Sequence, residues 1–119
     1  MTAFETMSAD TAAELNRLRA EIKEADEAIL NAMKKRHDTA EKIGRLKLGA
    51  RIPVRNEAVE ENVVGRYRRF AEECGMDPDD AEIVCRTLIR ASIEEQASLV
   101  RPDRVLKKNR RYRRLRENG

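Results

Sequence analysis

Residues 15–48 read LNRLRAEIKEADEAILNAMKKRHDTAEKIGRLKL. Leu15, Leu18, Ile22, Ala25, Ile29, Ala32, Met33, Ala40, Ile43 and Leu46 recur at helical spacing, with no proline and with no glycine before Gly44. One long helix is the reading that spacing requires. Thr11 and Glu14 stand in capping-box spacing at its start, and Gly49, with Pro53 just beyond, marks its end. The predicted first helix therefore runs from Thr11 to about Leu48.

Gly49 to Arg55 reads as a loop. Asn56 followed by Glu57, Glu60 and Glu61 supplies a cap and an acidic first turn for a second helix, which runs to about Cys74 with Gly75 as its stop. Asp77 and Pro78 then provide an N-cap and a proline at the first helical position. The third helix carries Ile83, Val84, Leu88, Ile89, Ile93 and Leu99 and ends near Val100, before Pro102. The fold class is all-α: one long helix and two shorter ones.

Length then constrains assembly. A helix from Thr11 to Leu48 spans roughly 57 Å, whereas a compact chain of this size has a radius of gyration of only ~13.5 Å. Helices two and three, at roughly 30 Å each, leave much of its apolar stripe uncovered. Burying that stripe favours a second copy, and a homodimer of three-helix chains is the simplest arrangement.

Composition agrees with this picture. Of the 119 residues, 39% are charged and 3% aromatic, so any core is built from aliphatic side chains. No apolar run is long enough for a membrane span, and the N-terminus lacks a basic segment followed by an apolar one, so a cytoplasmic location is expected. Cys74 and Cys85 have no CxxC spacing and only His37 to assist them, which supports neither a zinc site nor a disulfide framework. His37 itself is expected on a solvated face. The net charge of +3 conceals an asymmetry, because residues 101–119 hold nine Lys/Arg against Asp103 and Glu117, and the first hundred hold sixteen against twenty. We divide the chain into a flexible leader over residues 1–10, a helical domain over 11–100 and a basic tail over 101–119. The tail includes Lys107, Lys108, Arg110, Arg111, Tyr112, Arg113 and Arg114, a pattern compatible with phosphate contacts and stacking on a nucleic acid. A solvated extension lying against the acidic body is the preferred reading.

The informative feature is a set of polar side chains within apolar stripes. On the first helix Arg36, Ala40, Ile43 and Lys47 follow spacings of 4, 3 and 4, so two cations share a face that should be core. On the third, Cys85, Leu88, Ile89, Ser92, Gln96 and Leu99 trace one stripe, which turns a hydroxyl and a carboxamide inward. Two readings are open. Arg36 and Lys47 pair with Glu60 or another acid inside the bundle, with Ser92 and Gln96 forming a satisfied polar layer. Alternatively these groups converge on a small polyanionic ligand.

In order along residues 12–100, the sequence resembles the all-helical class of chorismate mutases. The resemblance is carried by Leu18-Arg19-Ala-Glu-Ile22 with Asp26 and Ile29, by Lys35-Arg36, by Ile43-Gly44-Arg-Leu-Lys47 and by Ile52-Pro-Val-Arg55. Glu60 follows, and Ile89-Arg-Ala-Ser92-Ile-Glu-Glu-Gln96 completes the pattern. It implies an intertwined homodimer that rearranges chorismate to prephenate in phenylalanine and tyrosine biosynthesis, a shikimate-pathway activity, with no cofactor and no metal. By position, Arg19 and Arg36 would grip the two substrate carboxylates, assisted by Ser92. Lys47 and Gln96 would hydrogen-bond the ether oxygen, and Glu60 would hold the ring hydroxyl with the backbone N–H at Asn56. Arg36, Lys47 and Gln96 are thus the expected catalytic groups.

Arg19 lies 17 residues before Arg36, about 25 Å of helical rise and about 100° of azimuth away. The resemblance resolves this by drawing the first arginine from the partner subunit. Two positions depart from the family pattern: Val59 stands where arginine is common, and Asn56 replaces a frequent aspartate. Arg55 is a neighbour that could substitute for the missing cation. The nearest rival within the same fold is isochorismate pyruvate lyase, an elimination on a related substrate, against which Glu60 and the Lys47/Gln96 pair favour the mutase. A helical nucleic-acid-binding or adaptor protein working through the tail is the rival from another class. Any shikimate-pathway enzyme that docks on the chain is not identified by these residues.

Overall fold

The structure, a computed structural model, describes residues 7–100. The first six residues of the expected leader and the basic tail over 101–119 lie outside them. The described residues form three helices: α1 (Ala9–Ala50), α2 (Glu57–Cys74) and α3 (Pro78–Ser98). Among the described residues there is no strand, and no helix is long and apolar enough to cross a membrane. The chain divides into two compact units between Lys35 and Arg36.

The first unit is the N-terminal part of α1. Its cap is Ser8 rather than Thr11: the Ser8 hydroxyl accepts from the Thr11 N–H at 3.1 Å, and the Ser8 carbonyl accepts from Ala12 N–H at 3.0 Å. A serine three residues ahead of Thr11 satisfies an orphan amide equally well, so the helix starts earlier than the capping-box spacing suggested. Glu14, assigned to that box, instead pairs with Arg17, which also reaches Glu21 at 2.9 Å. The apolar stripe is solvent-facing, with Leu18, Ile22, Ile29, Leu30 and Met33 all exposed.

The second unit contains the rest of α1 together with α2 and α3. At the end of α1, Gly49 stays helical and Arg51 takes the left-handed conformation, φ 57°. Ile52 N–H donates to the Lys47 carbonyl at 2.8 Å and Arg51 N–H to that of Leu48 at 3.3 Å, which closes the helix in a Schellman turn built on arginine instead of glycine. α2 and α3 follow the expected signals: Asn56 Oδ1 accepts from Val59 N–H, Gly75 has φ 74°, and Asp77 caps α3 ahead of Pro78.

α2 and α3 pack against each other as an antiparallel pair. Arg68 on α2 reaches Asp79 at 2.9 Å and Glu82 at 3.0 Å, near the connection, while Arg86 on α3 reaches back to Glu61 at 3.4 Å and to Glu82 at 2.8 Å. Hydrogen bonding to Arg86, then to Arg68, holds the Glu82 carboxyl below its ordinary range. The buried apolar side chains are small: Ala40 from α1, Val64 and Ala71 from α2, and Cys85 from α3. Gly44 explains how α1 approaches α3. A Cβ there would stand 2.7 Å from Leu99 Cδ1 and 3.0 Å from Gln96 Cα. The closest contact is thus made by Gly44, not by Ile43, which is 42% exposed.

Candidate active site

Two of the expected residues, half-buried Arg36 and buried Gln96, each shield a polar atom with unused hydrogen-bonding capacity. Arg36 Nε and Gln96 Oε1 are both shielded from solvent and have no partner. Leaving one such group unsatisfied costs about 1–3 kcal/mol, more when it is charged. Gln96 is only 8% exposed. A 180° turn of its amide exchanges the acceptor for the Nε2 donor in the same place. The close approach at Gly44 fixes the backbone from which this amide projects.

Lys47 sits one helical turn after Gly44 and is half-buried. Its Nζ donates to the Val54 carbonyl at 2.7 Å. The turn at Arg51 makes this possible, because it folds residues 52–54 back over the last turn of α1. An ammonium held by one carbonyl keeps two further N–H groups for a ligand.

Glu60 pairs with neither Arg36 nor Lys47, one of the pairings that a purely structural account of those cations allowed. It pairs instead with Arg55, through Nη2 to Oε1 at 3.0 Å and Nε to Oε2 at 3.4 Å. The Glu60 side chain is 16% exposed and that of Arg55 61%. The hydrogen bond and charge of Glu60 raise the Arg55 pKa above the usual guanidinium value. Together with Arg86, Ile89, Arg90, Ile93 and Glu94, this pair lines a solvent-open cleft of about 400 Å³ between α2 and α3.

The remaining positions are less constrained. Ser92 is half-buried on α3, and Asn56 serves as the α2 cap with its side chain on Val59 N–H, at 3.2 Å. Arg19 is exposed in the first unit. The cleft therefore includes Glu60 from the expected set, whereas Arg36, Lys47, Ser92 and Gln96 do not line it.

Sequence patterning missed the buried carboxylate of Glu95, which is 6% exposed and lies 3.7 Å from His37 Nε2. His37 is accordingly half-buried against α3, which corrects its expected place on a solvated face. The i+3 relation of Glu95 to Ser92 was the available signal, masked because Gln96 one residue later fits the same stripe. Cys85 is buried, and desolvation pushes its thiol pKa up, opposed by the charges of Arg36 and Arg86. Cys74 is exposed. Among the described residues no group of three or more His, Cys, Asp or Glu side chains is placed to hold a metal ion.

Shielded, unpartnered atoms on Arg36 and Gln96 and a Lys47 ammonium anchored to main chain are groups of the kind that bind a small anionic molecule. The family comparison gives that class a specific member. Residues 18–97 match the model for chorismate mutase type II, and the chain belongs to that family.

Proposed function

We propose that this protein converts chorismate to prephenate. The observation that carries the proposal is the pair of buried, unpartnered polar atoms on Arg36 and Gln96, in a chain of the chorismate mutase type II family. The reaction is an intramolecular Claisen rearrangement, so the residues need to select a conformer and stabilise charge. In this reading Arg36, Ser92 and the partner subunit's Arg19 hold the two carboxylates and fold the enolpyruvyl group over the ring. Lys47 and the Gln96 amide donate to the ether oxygen as the C–O bond breaks, and Glu60 accepts from the ring hydroxyl, with the Asn56 backbone N–H beside it. One preorganised donor is typically worth ~2.7–4 kcal/mol, and the low end of enzymatic acceleration needs about 8 kcal/mol. Two donors together with conformer selection meet that requirement.

The same reading makes the protein a homodimer. Support comes from the exposed stripe Leu18, Ile22, Ile29 and Met33, and from a core whose buried apolar side chains, among the described residues, are no larger than valine. Purified protein should consume chorismate and release prephenate, followed by loss of chorismate absorbance and acid conversion of the product to phenylpyruvate. Lys47→Ala and Arg36→Ala should abolish turnover while helical circular dichroism is retained. Unfolding of those variants would return both cations to a structural role. Release of salicylate and pyruvate from isochorismate, without prephenate from chorismate, would replace the mutase by the lyase.

A further inference from the structure

The cleft between α2 and α3 is lined by three guanidiniums, and each already has a carboxylate: Arg86 holds Glu82 and Glu61, Arg90 holds Glu94 at 3.4 Å, and Arg55 holds Glu60. These pairs give each guanidinium a counter-charge. They also set Arg55 apart. The Arg86 and Arg90 pairs join carboxylates at least half exposed or tied into the helix–helix network, whereas Arg55 grips a carboxylate that is itself mostly buried.

Local structure explains how. Asn56, extended at φ −139° and capping Val59 N–H, ends the loop and places Arg55 immediately outside the first turn of α2. From there its side chain reaches five residues forward and meets Glu60 with two N–H groups. The intervening residues, Asn56, Glu57, Ala58 and Val59, supply no cation, and Val59 is 54% exposed. A carboxylate has about four acceptor sites. Two N–H contacts from Arg55 fix the orientation of Glu60 and leave acceptor capacity on each oxygen.

We infer that Arg55 is a positioning residue that holds the Glu60 carboxylate ready to accept the substrate's ring hydroxyl, doing from the loop what the family arginine would do from position 59. This rests on the proposed mutase function. Glu60 touches substrate; Arg55 acts through it. Loss of Arg55 therefore weakens substrate binding more than it slows the chemical step.

The test uses the full-length protein, beginning with turnover of the unmodified chain. Arg55→Ala should raise KM for chorismate about tenfold, with kcat changed by less than about threefold. Arg55→Lys should recover part of the loss, and adding Val59→Arg to Arg55→Ala should recover most of it from a different backbone position, which a purely structural role would not allow. Prephenate affinity, measurable by calorimetry with or without turnover, completes a double-mutant cycle: in a Glu60→Gln background, Arg55→Ala should have no further effect. An active protein whose KM and prephenate affinity ignore Arg55→Ala would overturn the inference. So would an undiminished effect of Arg55→Ala in the Glu60→Gln background, since Arg55 would then act on the ligand directly. An unmodified chain that neither turns over chorismate nor binds prephenate defeats the mutase reading first, and this inference with it.

Discussion

At Gly44 two opposing effects meet. Replacing a glycine by alanine inside a helix ordinarily gains about 1 kcal/mol. Here the new methyl group would stand 3.0 Å from Gln96 Cα and 2.7 Å from Leu99 Cδ1. The leucine methyl can swing aside, but the backbone of α3 cannot, and overpacking of that kind costs about 1–3 kcal/mol. Gly44→Ala should therefore lower the melting temperature modestly and lower kcat more than stability, because the shifted atom carries the Gln96 amide. A raised melting temperature with unchanged turnover would mean that the helices separate at no cost to the site. The residue scale is also where sequence reading reached furthest and then stopped. That Arg36 and Gln96 turn polar atoms inward was legible, because a polar group inside an apolar stripe is visible in one dimension. Arg55 was legible as a substitute for the cation missing at position 59, but its pairing with Glu60 and the His37–Glu95 contact were not assigned, since each depends on where a loop or a second helix brings a side chain.

Among the elements, α2 and α3 were legible almost to the residue because their ends rest on short-range chemistry: Asn56, Gly75, and Asp77 ahead of Pro78. The ends of α1 were not, since Ser8 capped it ahead of Thr11 and Arg51 took the left-handed position in place of Gly49. The α2–α3 pair also has a pH dependence. Glu82 has a lowered pKa in the folded chain. Its contribution to stability is therefore fully present above the ordinary glutamate pKa of about 4.3 and is lost as pH falls through the lowered folded value. Glu82→Gln should melt at a lower temperature than the unmodified chain near neutral pH, and the two melting curves should converge on acidification. Curves that stay parallel through the acid range would show that Glu82 contributes nothing through its charge.

For the whole molecule, the exposed first half of α1 and the reach of Arg19 meet in one expectation. Arg19→Ala and Arg36→Ala should each be inactive alone if each site draws one arginine from either subunit. Mixed and allowed to exchange subunits, they should regain up to about a quarter of full activity, because half of the dimers are mixed and each mixed dimer has one intact site. No recovery after demonstrated exchange would place both arginines in sites of a single chain. The small buried side chains, Ala40, Val64, Ala71 and Cys85, carry a last consequence. If a second copy covers α1, as proposed, the described residues, which bury so little apolar volume of their own, gain most of their stability on association, and folding and association become one mass-action equilibrium. The chain's melting temperature is then set partly by its own concentration: tenfold dilution should lower it by several degrees, and extreme dilution at constant temperature should unfold the protein rather than release folded monomers.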